Sequence, residues 1–210
     1  MAVILFCLYI YIYILNATSL AKPNAVQLLA SELLQLHSHR ALVSDSWFTS
    51  KHLSSVVGMA GYDLYRRDQK TGLAGGVCEK YNVRSDVKCS IFQPAPSATA
   101  SGPDLIEILW LSCFYSSQHY YIACCYHPPQ SKYRDSQFME LVACDIDYIN
   151  SICNDAVITV AGDFNQLDTT FLQCDHGLVQ MVSVPTHCEN LTDKAFVTFV
   201  FTLKPTRGIL

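Results

Sequence analysis

The sequence predicts an α/β layered protein built on a mixed, largely antiparallel β-structure. Three observations predict it. Apolar runs rich in β-branched and aromatic residues recur between turn-forming clusters. Only two amphipathic helical stretches occur, far apart, so strands do not alternate with helices as in a parallel doubly wound sheet. Half of the 210 residues are hydrophobic, which suits one domain with a sizeable core. Charged residues make up 15% and the net charge is −4, so no whole-protein basic field exists to hold nucleic acid. A phosphate-binding surface must therefore be local or use a metal ion. The ten cysteines fall short of a small disulfide scaffold, and no CxxC pair supports a zinc ribbon or thioredoxin motif. Several sit in apolar runs, such as Ile122-Ala123-Cys124-Cys125-Tyr126, and read as reduced, intracellular core residues.

Residues 2–15 form an uncharged apolar run. It is short of the roughly 20 residues that span a bilayer. It reads as a buried first strand; the alternative is a signal or anchor segment leading to the membrane or secretory pathway, although no Lys or Arg precedes it. Pro23 is placed to open a helix over 23–38, with Val26, Leu29, Leu33 and Leu36 on one face. Ala41-Leu42-Val43 is a short strand, and Gly61-Tyr62 begins another, broken by the polar stretch Arg66 to Gly72. Gly75-Gly76 precedes a strand through Tyr81, and Gln93–Pro103 reads as a loop. Leu105–Phe114 and Tyr120–Cys125 read as an antiparallel pair around Ser116-Ser117-Gln118, stopped by Pro128-Pro129. A second helix is expected over 135–153. Strands follow at Ala156–Ala161, Leu178–Val184 and Ala195–Leu203.

Chemistry concentrates at strand ends. Ala156–Ala161 runs into Gly162-Asp163-Phe164-Asn165. Asp163 and Asn165 are two residues apart, so on an extended backbone a carboxylate and an amide point the same way. Such a pair can orient a water or bind phosphate or Mg²⁺; the bland alternative is an ordinary Asx turn. Asp45, in Ser44-Asp45-Ser46-Trp47, also follows a strand, where a helix cap is the local alternative. Tyr126 ends a third strand and can offer a phenol to phosphate, or be a half-buried strand residue with a solvated tip. Asn16 directly follows the first strand.

The order of these pieces resembles the endonuclease/exonuclease/phosphatase superfamily, closest to the endonuclease domain of non-LTR retrotransposon polyproteins. The matching segments are Leu15–Leu20, Val43–Trp47, Gly61–Asp68, Gly75–Val77, Cys124–Pro129, Gly162–Asn165, Pro185-Thr186-His187 and Asp193–Thr198. They define a domain over 10–203 and leave 204–210 as a tail. The resemblance implies a DNase I-like four-layer α/β/β/α sandwich of two mixed, largely antiparallel sheets flanked by helices. It implies metal-dependent phosphodiester cleavage with Mg²⁺, or Mn²⁺ as the alternative, no small-molecule cofactor, and DNA backbone phosphates as the partner. By position, Asp45 and Asn16 fall in the metal site. Tyr126 matches the tyrosine on the scissile phosphate, Asp163 the aspartate that positions or deprotonates the attacking water, and Asn165 its phosphate-orienting partner. Asp193 matches the aspartate that orients the catalytic histidine. The basic cluster Arg66, Arg67 and Lys70 is the candidate DNA-backbone contact, its alternative being a solvated loop.

Two departures from the family pattern stand out. Asp45 occupies a position the family usually gives to glutamate, one methylene longer. The family's closing Ser-Asp-His strand has no counterpart before Arg207-Gly208-Ile209-Leu210, and neither His176 nor His187 is assigned its role. The expectation is a fold short of its last strand or strands, with an exposed sheet edge and weakened or absent catalysis. The competing readings are a catalytically dead remnant that binds, and a non-enzymatic membrane or secreted protein. Localisation is expected to be nuclear or cytoplasmic, or membrane-directed if residues 2–15 are a targeting segment.

Overall fold

The computed structural model describes residues 2–7, 10–68, 75–82, 87–94 and 105–198. In chain order the elements are β1 (Ala2–Cys7), β2 (Ile10–Asn16), α1 (Ala25–Gln35), β3 (Arg40–Ser44), α2 (Ser54–Val57), β4 (Tyr62–Arg67), β5 (Val77–Asn82) and β6 (Lys88–Phe92). Then come β7 (Glu107–Tyr115), β8 (Gln118–Tyr126), α3 (Asp135–Ile152), β9 (Val157–Asp163), α4 (Thr170–Cys174), β10 (Leu178–Gln180) and β11 (Asp193–Thr198). One sheet has the order β1-β2-β3-β5-β4, the other β10-β11-β9-β8-β7-β6. Each is antiparallel except for one parallel pair, β2 with β3 and β8 with β9.

Strand alternation sorts the side chains into four layers. Ile12, Ile14 and Leu42 from the first sheet meet Leu109, Ile122, Cys124, Ala161 and Ala195 from the second, forming the core between the sheets. The opposite parity of the first sheet, Tyr13, Ala41 and Val43, packs on Val26, Leu29 and Leu33 of α1. The opposite parity of the second, with Ala123, Cys125, Ile158 and Val160, packs on Phe138, Val142, Ile146 and Ile149 of α3. The two layers of sheet and the two flanking helices are the sandwich expected.

Local chemistry explains the element boundaries and the departures from expectation. Asn24 is left-handed (φ 62°), so α1 starts at Ala25 rather than at Pro23, and His37 (φ 50°) ends it. Helix α3 opens with the Arg134 N–H donating to Gln137 Oε1 (2.9 Å) and with Asp135 in its first turn, both favourable at a helix N-terminus. Ser116 and Ser117 both take positive φ, the two-residue turn whose twist suits an antiparallel hairpin, so β7 and β8 pair from Tyr115–Gln118 outward.

The apolar run 2–15 is two strands, not one: β1 folds back antiparallel on β2. Strand β4 continues through Arg66 and Arg67, where a break was expected. The expected strand 178–184 is shorter, because only Leu178–Gln180 pairs with β11. Strand β6 and the short helices α2 and α4 were not anticipated. Strand β11 is described from Asp193 to Thr198; the rest of the strand expected through Leu203, and most of the Gln93–Pro103 loop, lie outside the described residues. The cysteines divide: Cys113, Cys124 and Cys125, which lie in apolar runs, are buried, whereas Cys144, Cys174 and Cys188 are exposed. Among the described residues no helix is long and apolar enough to cross a membrane.

Candidate active site

The two parallel strand pairs end together. Asn16 lies opposite Ser44 at the end of β2 and β3, and Tyr126 lies opposite Asp163 at the end of β8 and β9. Counting by twos from the inter-sheet core, Ile14 leads to Asn16, Cys124 to Tyr126, Ala161 to Asp163 and Ala195 to Asp193. All four polar side chains therefore project from the inner faces at one edge of the sandwich. There the core turns polar.

Asp163 is the hub. Its Oδ2 accepts from Asn16 Nδ2 at 2.5 Å and from Asn165 Nδ2 at 3.1 Å, and its Oδ1 accepts the Asn165 N–H at 3.0 Å. The Asx turn foreseen as the bland alternative is real, and it coexists with the constellation. Asn165 holds a left-handed backbone (φ 49°), which asparagine tolerates, and its amide also donates to the His127 carbonyl at 2.7 Å. Between them, Phe164 points the other way and stands edge-on to Phe138 and Phe196. Burial raises the Asp163 carboxyl above the ordinary range; hydrogen bonds from Asn165 and Asn16 oppose this and the Asp45 charge adds to it.

Asp45 is not a helix cap. It sits left-handed (φ 54°), and its Oδ1 accepts from Trp47 Nε1 and from the Gly75 N–H, both at 2.8 Å. Glu107, which sequence reasoning missed, stands beside it. Its Oε2 accepts the Gly76 N–H at 2.7 Å, and it lies directly opposite Tyr126 in the β7–β8 ladder. Burial pushes its carboxyl up to about 7, with the Asp45 charge adding and the Gly76 bond and Arg67 opposing. The one available signal was a lone charge inside the apolar run Leu105–Phe114. Tyr126 is buried, and burial followed by the Asp45, Asp163 and Glu107 charges raises its phenol, keeping it protonated.

Asp193 lies opposite Asp163 in the β9–β11 ladder and is 3% exposed. Its N–H donates to Thr186 Oγ1 at 2.9 Å, while its own Oδ1 is buried with no hydrogen-bond partner among the described residues. Burial, then the Asp163 charge, pushes it up to about 6. An open pocket of about 200 Å³ lies over Asn16, Asp163, Asn165, Asp193, Thr186 and His187. His187, left without a role by sequence reasoning, is on its wall; Asp45 and Tyr126 are not.

Arg66 and Arg67 do not line this pocket. Arg66 Nε lies 3.3 Å from Asp68 and its guanidinium sits over Phe48 (5.9 Å). Arg67 Nη1 donates to the Ile108 carbonyl at 3.2 Å. Both belong to β4 and are half-buried, rather than in a solvated loop. Lys70 lies outside the described residues. Among those residues, no three of His, Cys, Asp and Glu converge as a ready metal cage.

No protein-family model and no curated protein matches the chain at the level of sequence. Solved structures do match. The endonuclease domain of TRAS1, a telomere-specific non-LTR retrotransposon, is 15% identical, with 89% of this chain and 83% of that chain covered and a TM-score of 0.61. Humanised D. rerio TDP2 is 16% identical, with 92% and 85% covered and a TM-score of 0.60. D. rerio TDP2 complexed with a single-strand DNA product is 15% identical, with 90% and 84% covered and a TM-score of 0.57. With the layer order and strand-end geometry above, these likenesses show that this chain has the DNase I-like fold.

Proposed function

We propose that the chain is a phosphodiester hydrolase that nicks DNA with Mg²⁺, or Mn²⁺ in its place, and that it descends from a non-LTR retrotransposon endonuclease. The observation that carries this reading is the Asn16–Asp163–Asn165 constellation, assembled from both sheets across 147 residues of sequence. Likeness to the TRAS1 domain supports the origin, and the DNA product held by D. rerio TDP2 supports the substrate class.

Asp163 has the properties of a general base. Burial makes its carboxyl more basic than an exposed aspartate, and two amides fix its orientation. It takes the proton of the attacking water. Tyr126, kept as a phenol, donates to a non-bridging phosphate oxygen. Mg²⁺ demands hard oxygen donors and commonly uses only one or two protein carboxylates, with water and substrate oxygens completing its shell. The donors here fit that demand, and Asp45 with Asn16 would hold the ion. When bound, such an ion stabilises the charge that develops on the phosphate and the leaving oxygen. Asp45 is shorter than the family's glutamate, so turnover is expected to be attenuated.

One observation favours a second reading, a phosphate-binding remnant without turnover: among the described residues, the buried Asp193 Oδ1 has no hydrogen-bond partner. Supercoiled plasmid separates the two. Mg²⁺-dependent nicking that EDTA and Asp163→Ala both abolish establishes the hydrolase. A folded chain that does not nick establishes the remnant.

A further inference from the structure

At the end of the sandwich remote from Asp163, two thiols face each other across strands. Cys89 of β6 lies directly opposite Cys113 of β7 in the antiparallel ladder, and their Sγ atoms are 2.7 Å apart. Directly opposed residues in such a ladder have Cα atoms about 4.5–5.5 Å apart. That falls inside the roughly 4.4–6.8 Å that a disulfide spans. No other ladder position among the described residues sets two cysteines face to face. Arg40, fully buried at the start of β3, donates from Nη2 to Cys89 Sγ at 3.3 Å. A guanidinium beside a sulfur favours the thiolate, which is the nucleophile in thiol exchange. Cys113 is 1% exposed, whereas Cys89 is half-buried on the edge strand of its sheet.

We propose that Cys89 and Cys113 are a redox-modification site, at which a small-molecule disulfide of the glutathione type converts the two thiols into a cross-strand disulfide that staples edge strand β6 to β7. The order of events follows from access. The Cys89 thiolate attacks one sulfur of the small disulfide, forming a mixed disulfide and releasing one small thiolate. Cys113, deprotonated, then attacks the Cys89 sulfur, and the second small thiolate leaves. The two protons lost from the protein end on the two released thiols: the protein pair is oxidised by two electrons and the small disulfide is reduced by two. The hydrogen bond with Cys89, and then burial, hold the Cys113 thiol in its protonated form, so the second step is the slow one. The staple pins β6, which among the described residues has a neighbour on one side only, and leaves the polar end of the sandwich untouched. This inference does not depend on hydrolysis.

The test uses the purified full chain, reduced and then incubated with oxidised glutathione. Expected are an intact mass lower by about two units, the two thiol hydrogens, and a linked pair of peptides carrying Cys89 and Cys113. Thermal unfolding shifts upward by on the order of 10 °C, as a disulfide closing a loop of this length predicts, and dithiothreitol reverses it. Cys113→Ala is expected to trap a stable glutathione adduct on Cys89 with no such shift. Recovery of both residues as thiols after denaturing alkylation, with adducts only on exposed Cys144, Cys174 or Cys188, overturns the proposal. So does a glutathione adduct that persists on Cys89 of the unsubstituted chain.

Discussion

Asp45 follows a strand of one sheet and Glu107 begins a strand of the other, yet they are held by adjacent amides of one dipeptide: the Gly75 N–H donates to Asp45 at 2.8 Å and the Gly76 N–H to Glu107 at 2.7 Å. The same dipeptide accepts in return, from the Ser46 N–H at Gly76 and from the Trp47 N–H at Gly75. The spacing of the two carboxylates is thus set by backbone, not by side-chain rotamers.

The strap needs its glycines. Gly75 and Gly76 have φ of 111° and 81°, a region that costs other residues roughly 1–3 kcal/mol. Gly75→Ala is expected to lower stability by about that amount in urea unfolding. It also displaces both acids, so Mg²⁺-dependent nicking should fall by at least about tenfold. Gly61→Ala is the control: φ is +79°, but a Cβ there meets nothing within 4 Å and the position is away from the site. It should show a comparable stability loss and unchanged nicking.

Buried acids make stability depend on pH. Glu107 is raised to about 7, and Asp145 and Asp193 to about 6, each mainly by burial. A carboxyl with a raised folded-state pKa binds a proton more tightly in the fold. Stability therefore falls as pH rises from the ordinary carboxyl range through about 6–7. Burial lowers His127, which acts oppositely below its ordinary pKa, but it is one group against the four raised carboxyls of Glu107, Asp145, Asp163 and Asp193. The chain is expected to resist urea better at about pH 5 than at about pH 8. Glu107→Gln keeps an acceptor for Gly76 and removes the charge. It should recover up to roughly 3 kcal/mol at the higher pH and little at the lower.

Strand identity and the strand-end placement of Asp163, Asn165 and Tyr126 were legible because apolar periodicity and a Gly-Asp-x-Asn ending are local signals. What was not legible depends on contacts between distant segments. Glu107 looked like an isolated charge in an apolar run, and only the fold brings Gly76 to it. Asp45 looked like a cap because its true partner, the Gly75 amide, is 30 residues on. Residues 2–15 show no turn residue, so nothing in their pattern divided them into β1 and β2. Arg66 and Arg67 looked solvated, as charge clusters usually are, but β4 carries them to Phe48 and to the Ile108 carbonyl.

Gly162 tests the fold at the site itself. Its φ is +144°, and a Cβ would collide with the Cys125 backbone carbonyl, which belongs to strand β8 and cannot swing aside as a side chain can. Gly162→Ala combines backbone strain with separation of β8 and β9 next to Asp163. A loss of roughly 4 kcal/mol or more is expected, measured as loss of the cooperative unfolding transition at 25 °C.

Asn16 tests the hub. Its amide holds the Asp163 carboxylate in the ionised form from the opposite sheet, opposing the effect of burial. In Asn16→Ala that opposition is gone, the Asp163 pKa rises, and a base that must be ionised becomes competent only at higher pH. The acid limb of the nicking rate should move to higher pH. Asn16→Asp should move it further, because two carboxylates at hydrogen-bond distance share a proton. Asn16 is also placed to hold the metal ion, and loss of that contact has a different signature: a higher Mg²⁺ concentration at half-maximal rate. A shifted acid limb that persists at saturating Mg²⁺ assigns the effect to Asp163, whereas a limb restored by saturating Mg²⁺ assigns it to the ion.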